Sequence, residues 1–189
     1  MRIIAGKYRG RNLKSPPSLE VRPTSDRLRE TLFNVIAPRI EGARFLELCA
    51  GSGAVGIEAL SRGASHVTFV DRSPKMCSLI KSNLELCRVG QDQNAIVQSD
   101  AHDFLRRRLR QEPGNINLPD LVFFDPPYAD DYLPILEIFG SGSSLLPVNS
   151  LLIVEHYYKN QLIDSAGSII RSRILRQGDS ALSFYQTAE

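Results

Sequence analysis

Four consecutive residues, Asp125-Pro126-Pro127-Tyr128, have types and spacing that could do chemistry. The apolar run before them, Leu121-Val122-Phe123-Phe124, predicts a strand that is buried on both faces. Asp125 then stands at the carboxyl end of this strand, where ligands bind in open α/β sheets. Two prolines stop the strand and lack N–H groups, so the corner presents the Asp125 carboxylate and the proline carbonyls as acceptors. With the Tyr128 ring beside them, these acceptors suit a planar amine, although Asp and Pro also favour an ordinary turn.

A second segment, Gly51-Ser52-Gly53-Ala54-Val55-Gly56, matches the pattern G-x-G-x-x-G between a predicted strand and a predicted helix. Asp71 follows 20 residues after Gly51, at the end of the next predicted strand. Glycines let the backbone approach a ligand closely, and Asp71 is expected to accept hydrogen bonds from both ribose hydroxyls. Two adenine-ribose cofactors fit this pattern, namely NAD and S-adenosylmethionine.

The charge of Glu47, just before the glycine segment, distinguishes between the two cofactors. A carboxylate there repels a pyrophosphate but attracts an ammonium and a sulfonium. Nicotinamide chemistry also has no use for the acceptor corner at Asp125. Asp100-Ala101, at the end of the third predicted strand, offers hydrogen bonds to an adenine edge, although Asp100 also suits a helix N-cap. We therefore predict S-adenosylmethionine, bound by Glu47, Ala50, Gly51, Ser52, Gly53, Asp71, Asp100 and Ala101.

The elements that must position these residues alternate between strands and helices from Ala43 onward, which is typical of a parallel sheet. The predicted strands are Arg44–Cys49, Val67–Asp71, Ala95–Ser99, Leu121–Phe124 and Leu151–Glu155. The predicted helices are Gly53–Arg62, Pro74–Cys87, Ala101–Gln111 and Tyr132–Phe139. The tail predicts a β-hairpin at the sheet edge, with strands Ile169–Leu175 and Ala181–Tyr185. One doubly wound α/β domain with an N-terminal extension accounts for all of them.

The N-terminal extension is the basic part of the chain. The whole chain has 189 residues, 42% hydrophobic and 23% charged, and a net charge of only +2. Residues 1–30 hold eight Lys or Arg against three acids, a net +5 that leaves −3 for residues 31–189. This asymmetry indicates a polyanionic partner. Residues 1–14 predict a small hairpin or extended arm that exposes Arg2, Lys7, Arg9 and Arg11, with Tyr8 able to stack on a base; a frayed terminus is the alternative.

A helix is predicted after the arm. Thr24-Ser25-Asp26 offers N-cap residues, and apolar residues at helical spacing follow as far as Pro38. Arg27 falls in the first turn, where a cation opposes the helix dipole, so a phosphate is one reason for its presence.

Cysteine, histidine and apolar patterns exclude several other classes. Three cysteines without Cys-x-x-Cys spacing indicate neither a disulfide framework nor a zinc site, and the three histidines show no metal-ligand spacing. Cys49 invites a nucleophilic role, but its place in a predicted buried strand favours packing. Without a long apolar segment or a signal peptide, we expect a cytoplasmic protein that binds no membrane.

Several segments together resemble one family. They are Arg2–Gly6, Tyr8–Arg11, Arg22–Arg27, Glu41–Leu48, Ala50–Gly53, Gly56–Ala64 and Asp125–Tyr128. In this order they resemble the RsmD family of bacterial 16S rRNA guanine-N2 methyltransferases, and the resemblance extends to Phe184-Tyr185. The family often has Asp at the position of Glu47 and an aromatic residue at that of Cys49.

The resemblance implies the Rossmann-like sheet of class I S-adenosylmethionine-dependent methyltransferases. It also implies that the substrate is a guanine of 16S rRNA in a small ribosomal subunit. Residues 1–40 are then expected to be an RNA-binding extension and residues 41–189 the methyltransferase domain, and the protein is expected to act as a monomer. The expected catalytic residues are Asp125, Pro126, Pro127 and Tyr128, and the expected RNA-binding residues are Arg2, Lys7, Arg9, Arg11, Arg22, Thr24 and Arg27. An adenine-N6 DNA methyltransferase, a protein-glutamine methyltransferase and a noncatalytic RNA-binding module remain as alternatives.

Overall fold

An eight-stranded sheet with helices on both faces forms the body of the protein. The computed structural model describes residues 1–16, 25–110, 117–142 and 145–188. The strands are β1 Arg44–Leu48, β2 His66–Asp71, β3 Asn94–Gln98, β4 Leu121–Phe124, β5 Leu151–Tyr157, β6 Ser165–Ala166, β7 Ile169–Gln177 and β8 Ser180–Thr187. The helices are α1 Asp26–Ile40, α2 Ala54–Ser61, α3 Pro74–Cys87, α4 Ala101–Leu109 and α5 Leu133–Gly140, with a short 3₁₀ turn at Gln91–Gln93.

The strand order is β3-β2-β1-β4-β5-β8-β7-β6. The first five strands are parallel, whereas β8, β7 and β6 run antiparallel at one side. The order reverses between β1 and β4, which is where doubly wound sheets bind ligands. The predicted α/β class and terminal hairpin are therefore confirmed.

Most predicted elements differ from the observed ones by one or two residues at their ends. Helix α1 continues through Pro38 to Ile40 instead of ending before the proline, because Ile36 and Ile40 bury their side chains in the core. The two-residue strand β6 was not predicted, since two residues show no periodicity. Helix α4 ends at Leu109, and its predicted end at Gln111 lies outside the described residues.

The two faces of the sheet carry separate cores. Alternate residues of β4 show the division: Leu121 and Phe123 pack with α1, α2, α3 and the N-terminal residues, whereas Val122 and Phe124 pack with α4 and α5. Burial of β4 on both faces explains its unbroken apolar sequence. Across the described ranges, no helix combines the length and the apolar character needed to cross a bilayer.

The N-terminal arm, residues 1–16, folds back on itself and packs against α2 and α3. Ile3 donates from its N–H to the Arg11 carbonyl at 3.0 Å, and an antiparallel bridge pairs Arg2 with Asn12. The side chains of Ile3, Tyr8 and Leu13 are buried in the core. The predicted hairpin is therefore confirmed, and the frayed-terminus alternative is wrong for this segment.

Glu58, buried in α2, attaches the arm to the body. Its carboxylate accepts the N–H groups of Ile4 and Ala5 at 2.8 and 3.0 Å. The same carboxylate pairs with Arg62 at 2.8 Å and lies 3.7 Å from the Nε of Arg29. Because the side chains of Glu58 and Arg29 are both fully buried, each charge requires these partners.

We predict that Glu58→Gln destabilises the protein by about 3 kcal/mol, since the change removes the buried carboxylate that pairs with Arg62 and lies beside Arg29, and leaves the buried Arg29 only the exposed Asp26 carboxylate, at 2.9 Å, as an ionic partner. Urea unfolding at constant ionic strength measures this loss. The matched control is Glu137→Gln on the exposed face of α5, which should change the unfolding free energy by less than about 0.5 kcal/mol. Equal stability of the two variants would contradict the role of Glu58.

Candidate active site

The glycine segment and the acidic corner lie side by side at the carboxyl edge of the sheet. Strands β1 and β4 are parallel neighbours whose last residues, Leu48 and Phe124, are paired. The Asp125 N–H donates to the Leu48 carbonyl at 3.3 Å and so extends this pairing by one residue. Two segments that are 72 residues apart in sequence, at Gly53 and Asp125, thereby form one site.

The carboxylate of Asp71 holds the glycine loop, residues 49–53. One of its oxygens accepts the Gly51 N–H at 2.8 Å, and the other accepts the Ser73 N–H at 2.8 Å. Gly51 has φ of 55° and Gly53 has φ of 73°, values that side chains disfavour, so glycine suits both turns. Asp71 therefore fixes the loop and the start of α3 at once, and its remaining lone pairs stay available to accept ligand hydroxyls.

The carboxyl group of Glu47 supports the start of α2 from below. Its Oε2 atom accepts the Gly56 N–H at 2.9 Å. A Cβ atom on Gly56 would lie 2.6 Å from Oε2 and 2.4 Å from the Phe69 ring, so this third glycine of the pattern is required for packing.

A cavity of about 720 Å³ opens between the loop and the corner, within the range of small-molecule sites. The predicted residues that line it are Glu47, Ala50, Gly51, Ser52, Asp71, Asp100, Ala101, Asp125, Pro126, Pro127 and Tyr128. Gly53 lies behind the wall instead, where it caps α2 and faces Ile80 and Phe69. Met1 and Glu155 also line the cavity, although neither was among the predicted site residues.

Burial changes the charge that Glu47 presents. The pKa of Glu47 is raised to about 8, chiefly by desolvation and also by the nearby Asp71 charge, against the lowering effect of the Gly56 N–H. From the sequence, the Glu47 side chain was expected to be ionised at neutral pH. The structure corrects this assumption, since at pH 7 the group is mostly protonated and a cationic ligand is needed to favour its ionised form.

Cys49 lines the cavity at φ of 60°, just after β1, and not inside a buried strand as predicted. Burial raises the pKa of its thiol to about 12, and the charges of Asp71 and Asp125 add to this effect. Because the thiolate is the nucleophilic form of cysteine, Cys49 is unsuited to nucleophilic catalysis.

The corner is held by one residue of the loop after β5 and by the first residue of β8. Asn160 donates from its side chain to the Tyr128 carbonyl at 3.0 Å, and the Tyr128 hydroxyl lies 2.7 Å from the Ser180 hydroxyl. The Pro127 carbonyl accepts the Asp130 N–H at 2.8 Å, so it closes a turn. The Pro127 carbonyl is therefore occupied within the chain, whereas Asp125 and Pro126 line the cavity.

Polar residues near the third and fifth strands have structural partners. Asp100 caps α4 by accepting the N–H groups of His102 and Asp103, which confirms the capping alternative. These three side chains form a cluster of possible metal ligands, but it is exposed and Asp100 already serves the helix. His156 is buried with its ring nitrogens 2.9 Å from the Tyr157 carbonyl and the Ser183 hydroxyl, and burial lowers its pKa.

The structure exposes only part of the predicted RNA-binding set. Arg2, Lys7, Arg9 and Arg27 have exposed side chains. Arg11 is half-buried, and its guanidinium donates to the Leu86 carbonyl at 3.1 Å.

Two further expectations for this set have different outcomes. Tyr8 is buried beneath Lys7 and Arg11, so the predicted stacking of this ring on a base is wrong for this conformation. The predicted residues Arg22 and Thr24 lie outside the described residues.

Comparison with known proteins supports one family over nearly the whole chain. The family model described as conserved hypothetical protein 95 matches residues 1–186. Ribosomal RNA small subunit methyltransferase D of Haemophilus influenzae is 41% identical over 159 residues, which cover 82% of this chain and 78% of the relative. The protein of the same name from Escherichia coli K12 is 36% identical over 188 residues, covering 98% of this chain and 89% of the relative.

Solved structures share the fold. The Escherichia coli protein yhhF superposes with a TM-score of 0.83 at 33% identity, covering 100% of this chain and 98% of its own. A SAM-dependent methyltransferase from Agrobacterium tumefaciens has a TM-score of 0.64 at 22% identity, covering 90% of this chain and 64% of its own. The sheet thus has the architecture of class I methyltransferases.

We predict that Glu47→Gln stabilises the protein increasingly as the pH rises from about 4.5 to about 8. In this window the folded wild type retains a proton that the unfolded chain has released, because burial raises the folded pKa above the ordinary value of 4.5. The contribution of Glu47 to stability therefore falls as the pH rises and is constant above pH 8. Gln keeps an acceptor for Gly56 and does not titrate.

Urea unfolding of both proteins at pH 5, 6, 7 and 8 measures the difference, from which titrations common to the two proteins cancel. The exposed Glu137→Gln change serves as the control and should give no such trend. A difference between Glu47→Gln and wild type that stays constant over this pH range would contradict the raised pKa.

Proposed function

Because this chain belongs to the RsmD family of ribosomal RNA methyltransferases, we propose that it methylates the exocyclic N2 amine of a guanine in 16S rRNA. The methyl donor is S-adenosylmethionine. The substrate is the rRNA of a small ribosomal subunit during or after assembly, and the enzyme acts in the cytoplasm as a monomer. The observation that carries the proposal is that the Asp125–Tyr128 corner and the glycine loop line one cavity.

The lining of the cavity fits a cationic adenosine ligand. Asp71 is positioned to accept ribose hydroxyls, and Asp100 and Ala101 lie on the adjoining wall for the adenine edge. Glu47 also lines the cavity and is the residue that we assign to the amino-acid end of the ligand. A bound ammonium or sulfonium lowers the pKa of Glu47 again, which favours the release of its proton. NAD would instead bring a pyrophosphate to the same carboxyl group, and the added negative charge would raise the pKa of Glu47 further, so this ligand gains no ion pair there.

The corner supplies orientation and electrostatics. S-adenosylmethionine provides a methyl group on a sulfonium, which is itself a reactive electrophile. The guanine N2 lone pair is delocalised into the ring, so the nitrogen is a weak nucleophile. The Asp125 carboxylate and the Pro126 carbonyl accept its two N–H bonds, favour a pyramidal nitrogen and direct its lone pair toward the donor.

Tyr128 holds the unstacked base, which must leave its RNA stack to reach this depth. The contacts of Tyr128 with Asn160 and Ser180 fix the orientation of the ring before the base arrives. After transfer the methylated nitrogen is strongly acidic, so its proton leaves without a dedicated base. No covalent enzyme intermediate is required.

The experiment that tests the proposal supplies labelled S-adenosylmethionine with unmodified small subunits, free rRNA or DNA, followed by nucleoside analysis. N2-methylguanosine formed with the ribosomal material supports the proposal. N6-methyladenine formed in DNA would overturn it in favour of a DNA methyltransferase, which shares an acceptor corner of this kind.

We predict that Asp125→Ala lowers the rate of methyl transfer at least 100-fold while cofactor affinity changes less than about 3-fold. The reason is that Asp125 orients the amine, whereas Asp71 and the glycine loop hold the cofactor. Single-turnover assays and calorimetry with S-adenosylhomocysteine measure the two quantities. Near-normal turnover in this variant would contradict the mechanism.

We predict that Arg9→Ala weakens RNA binding and reduces the slope of log affinity against log salt by roughly 0.7–0.9, the contribution of one phosphate contact. Arg9 is exposed on the arm, whereas Arg11 is half-buried and its loss would also disturb packing. The control is Arg39→Ala in the last turn of α1, where the exposed Arg39 donates to the Asn149 carbonyl. A slope that changes equally in both variants would count against the arm.

A further inference from the structure

A group of aromatic and cationic side chains lies directly beside the corner. It consists of Tyr157 and Tyr158 at the end of β5, Lys159 just after them, and Arg176 on β7, and is here termed the tyrosine–cation surface. The Tyr157 ring lies 5.8 Å from the Tyr128 ring between centroids, tilted by 31°. The Tyr158 ring meets Tyr157 edge-on at 5.0 Å. The surface is thus continuous with the proposed base-binding residue.

The cations of this surface are placed over the tyrosine rings. The Arg176 guanidinium carbon lies 3.6 Å from the Tyr158 centroid, a stacking distance. The Lys159 ammonium lies 5.9 and 5.7 Å from the Tyr157 and Tyr158 centroids. Both tyrosines are half-exposed, and both cations are exposed. A core-packing role explains neither the exposure of the rings nor the position of two cations on them.

Hydrogen bonds to backbone carbonyls hold the tyrosine–cation surface at the carboxyl edge of the sheet. The Tyr158 N–H donates to the Asp179 carbonyl at 3.0 Å, which ties the end of β5 to the turn between β7 and β8. The Arg176 Nε donates to the Gly178 carbonyl at 3.3 Å in the same turn. Asp179 is exposed nearby, and the two cations outweigh its charge. The surface is therefore ordered, cationic and aromatic.

Helix α1 brings a further cation to the same side. The Thr31 hydroxyl lies 2.9 Å from the Gln177 side-chain oxygen at the end of β7. Arg27, one turn earlier on α1, is exposed. A strand of RNA that contacts Arg27 and the N-terminal arm can therefore continue past the end of β7 to the corner.

We propose that the tyrosine–cation surface binds the single-stranded nucleotides adjacent to the target guanine. This inference rests on the proposed function. A guanine that leaves its stack removes the stacking partner of its neighbours, and aromatic rings replace that partner without regard to sequence. Guanidinium and ammonium groups beside the rings contact the phosphates of the same nucleotides. A nucleic acid strand is recognised by this combination of aromatic rings and positive charge, whereas a small amine substrate has no bases to stack and no phosphates to contact.

The test compares Tyr158→Ala and Arg176→Ala with two matched controls, Tyr158→Phe and Arg173→Ala. Tyr158→Phe keeps the ring, and Arg173 is an exposed arginine of β7 outside the surface. Affinity for unmodified small subunits is measured over a salt series, together with S-adenosylhomocysteine affinity and thermal unfolding. We expect Tyr158→Ala to weaken subunit binding roughly 10-fold, the effect of one lost base stack, with Tyr158→Phe near wild type. Arg176→Ala should reduce the salt slope by roughly 0.7.

Several outcomes would overturn the inference. The first is that Tyr158→Ala and Arg176→Ala both bind subunits with wild-type affinity. The second is that the variants bind assembled subunits more weakly but bind deproteinised 16S rRNA normally, since this result assigns the surface to contact with a ribosomal protein. If Tyr158→Ala unfolds, the exposed Arg176→Ala decides alone. If the wild type methylates rRNA and the variants bind subunits as tightly as the wild type, only the role of this surface is refuted. If the wild type does not methylate rRNA, the proposed function itself is refuted.

Discussion

The parallel pairing of β1 with β4 is the constraint on which the rest of the site depends. It brings the glycine loop and the acidic corner to one edge, and the hydrogen bond from Asp125 to the Leu48 carbonyl fixes their relative position. Chain connectivity alone would leave these segments far apart. The pairing is possible because β4 is apolar on both faces and therefore stable only in the centre of the sheet. The identity of four buried residues thus determines where the chemistry can occur.

Carboxyl groups at the strand ends hold the loop in its ligand-binding form. Asp71 accepts two backbone N–H groups, and Glu47 accepts a third from the first turn of α2. Burying Glu47 is unfavourable for stability, as its raised pKa shows. The protein thus retains, at the proposed binding site of a cationic cofactor, a carboxyl group that destabilises the folded state. This is the pattern expected when a site is selected for binding and not for stability.

Local patterns predicted the fold and most of the cavity, and long-range contacts account for what was missed. The glycine spacing and Asp71 could be recognised because one strand-helix-strand unit, β1-α2-β2, contains them. Asn160 and Ser180, which hold Tyr128, lie 32 and 52 residues from it in sequence and carry no local signal. Tyr8 was misjudged because neighbouring basic residues indicated exposure, whereas the arm buries the ring beneath them. The protonation of Glu47 depends on burial, which sequence alone does not measure.

The attachment of the arm to Glu58 has a consequence for how the protein meets its substrate. Basic segments that are disordered lose conformational entropy when they bind, and this loss weakens their affinity per contact. Here the arm, residues 1–16, has already lost that freedom on folding, since the N–H groups of Ile4 and Ala5 are bonded to Glu58 of α2. Association through this proposed RNA-binding arm therefore requires little further ordering of the arm itself. Its thermodynamic signature is a small heat-capacity change, unlike that of coupled folding and binding.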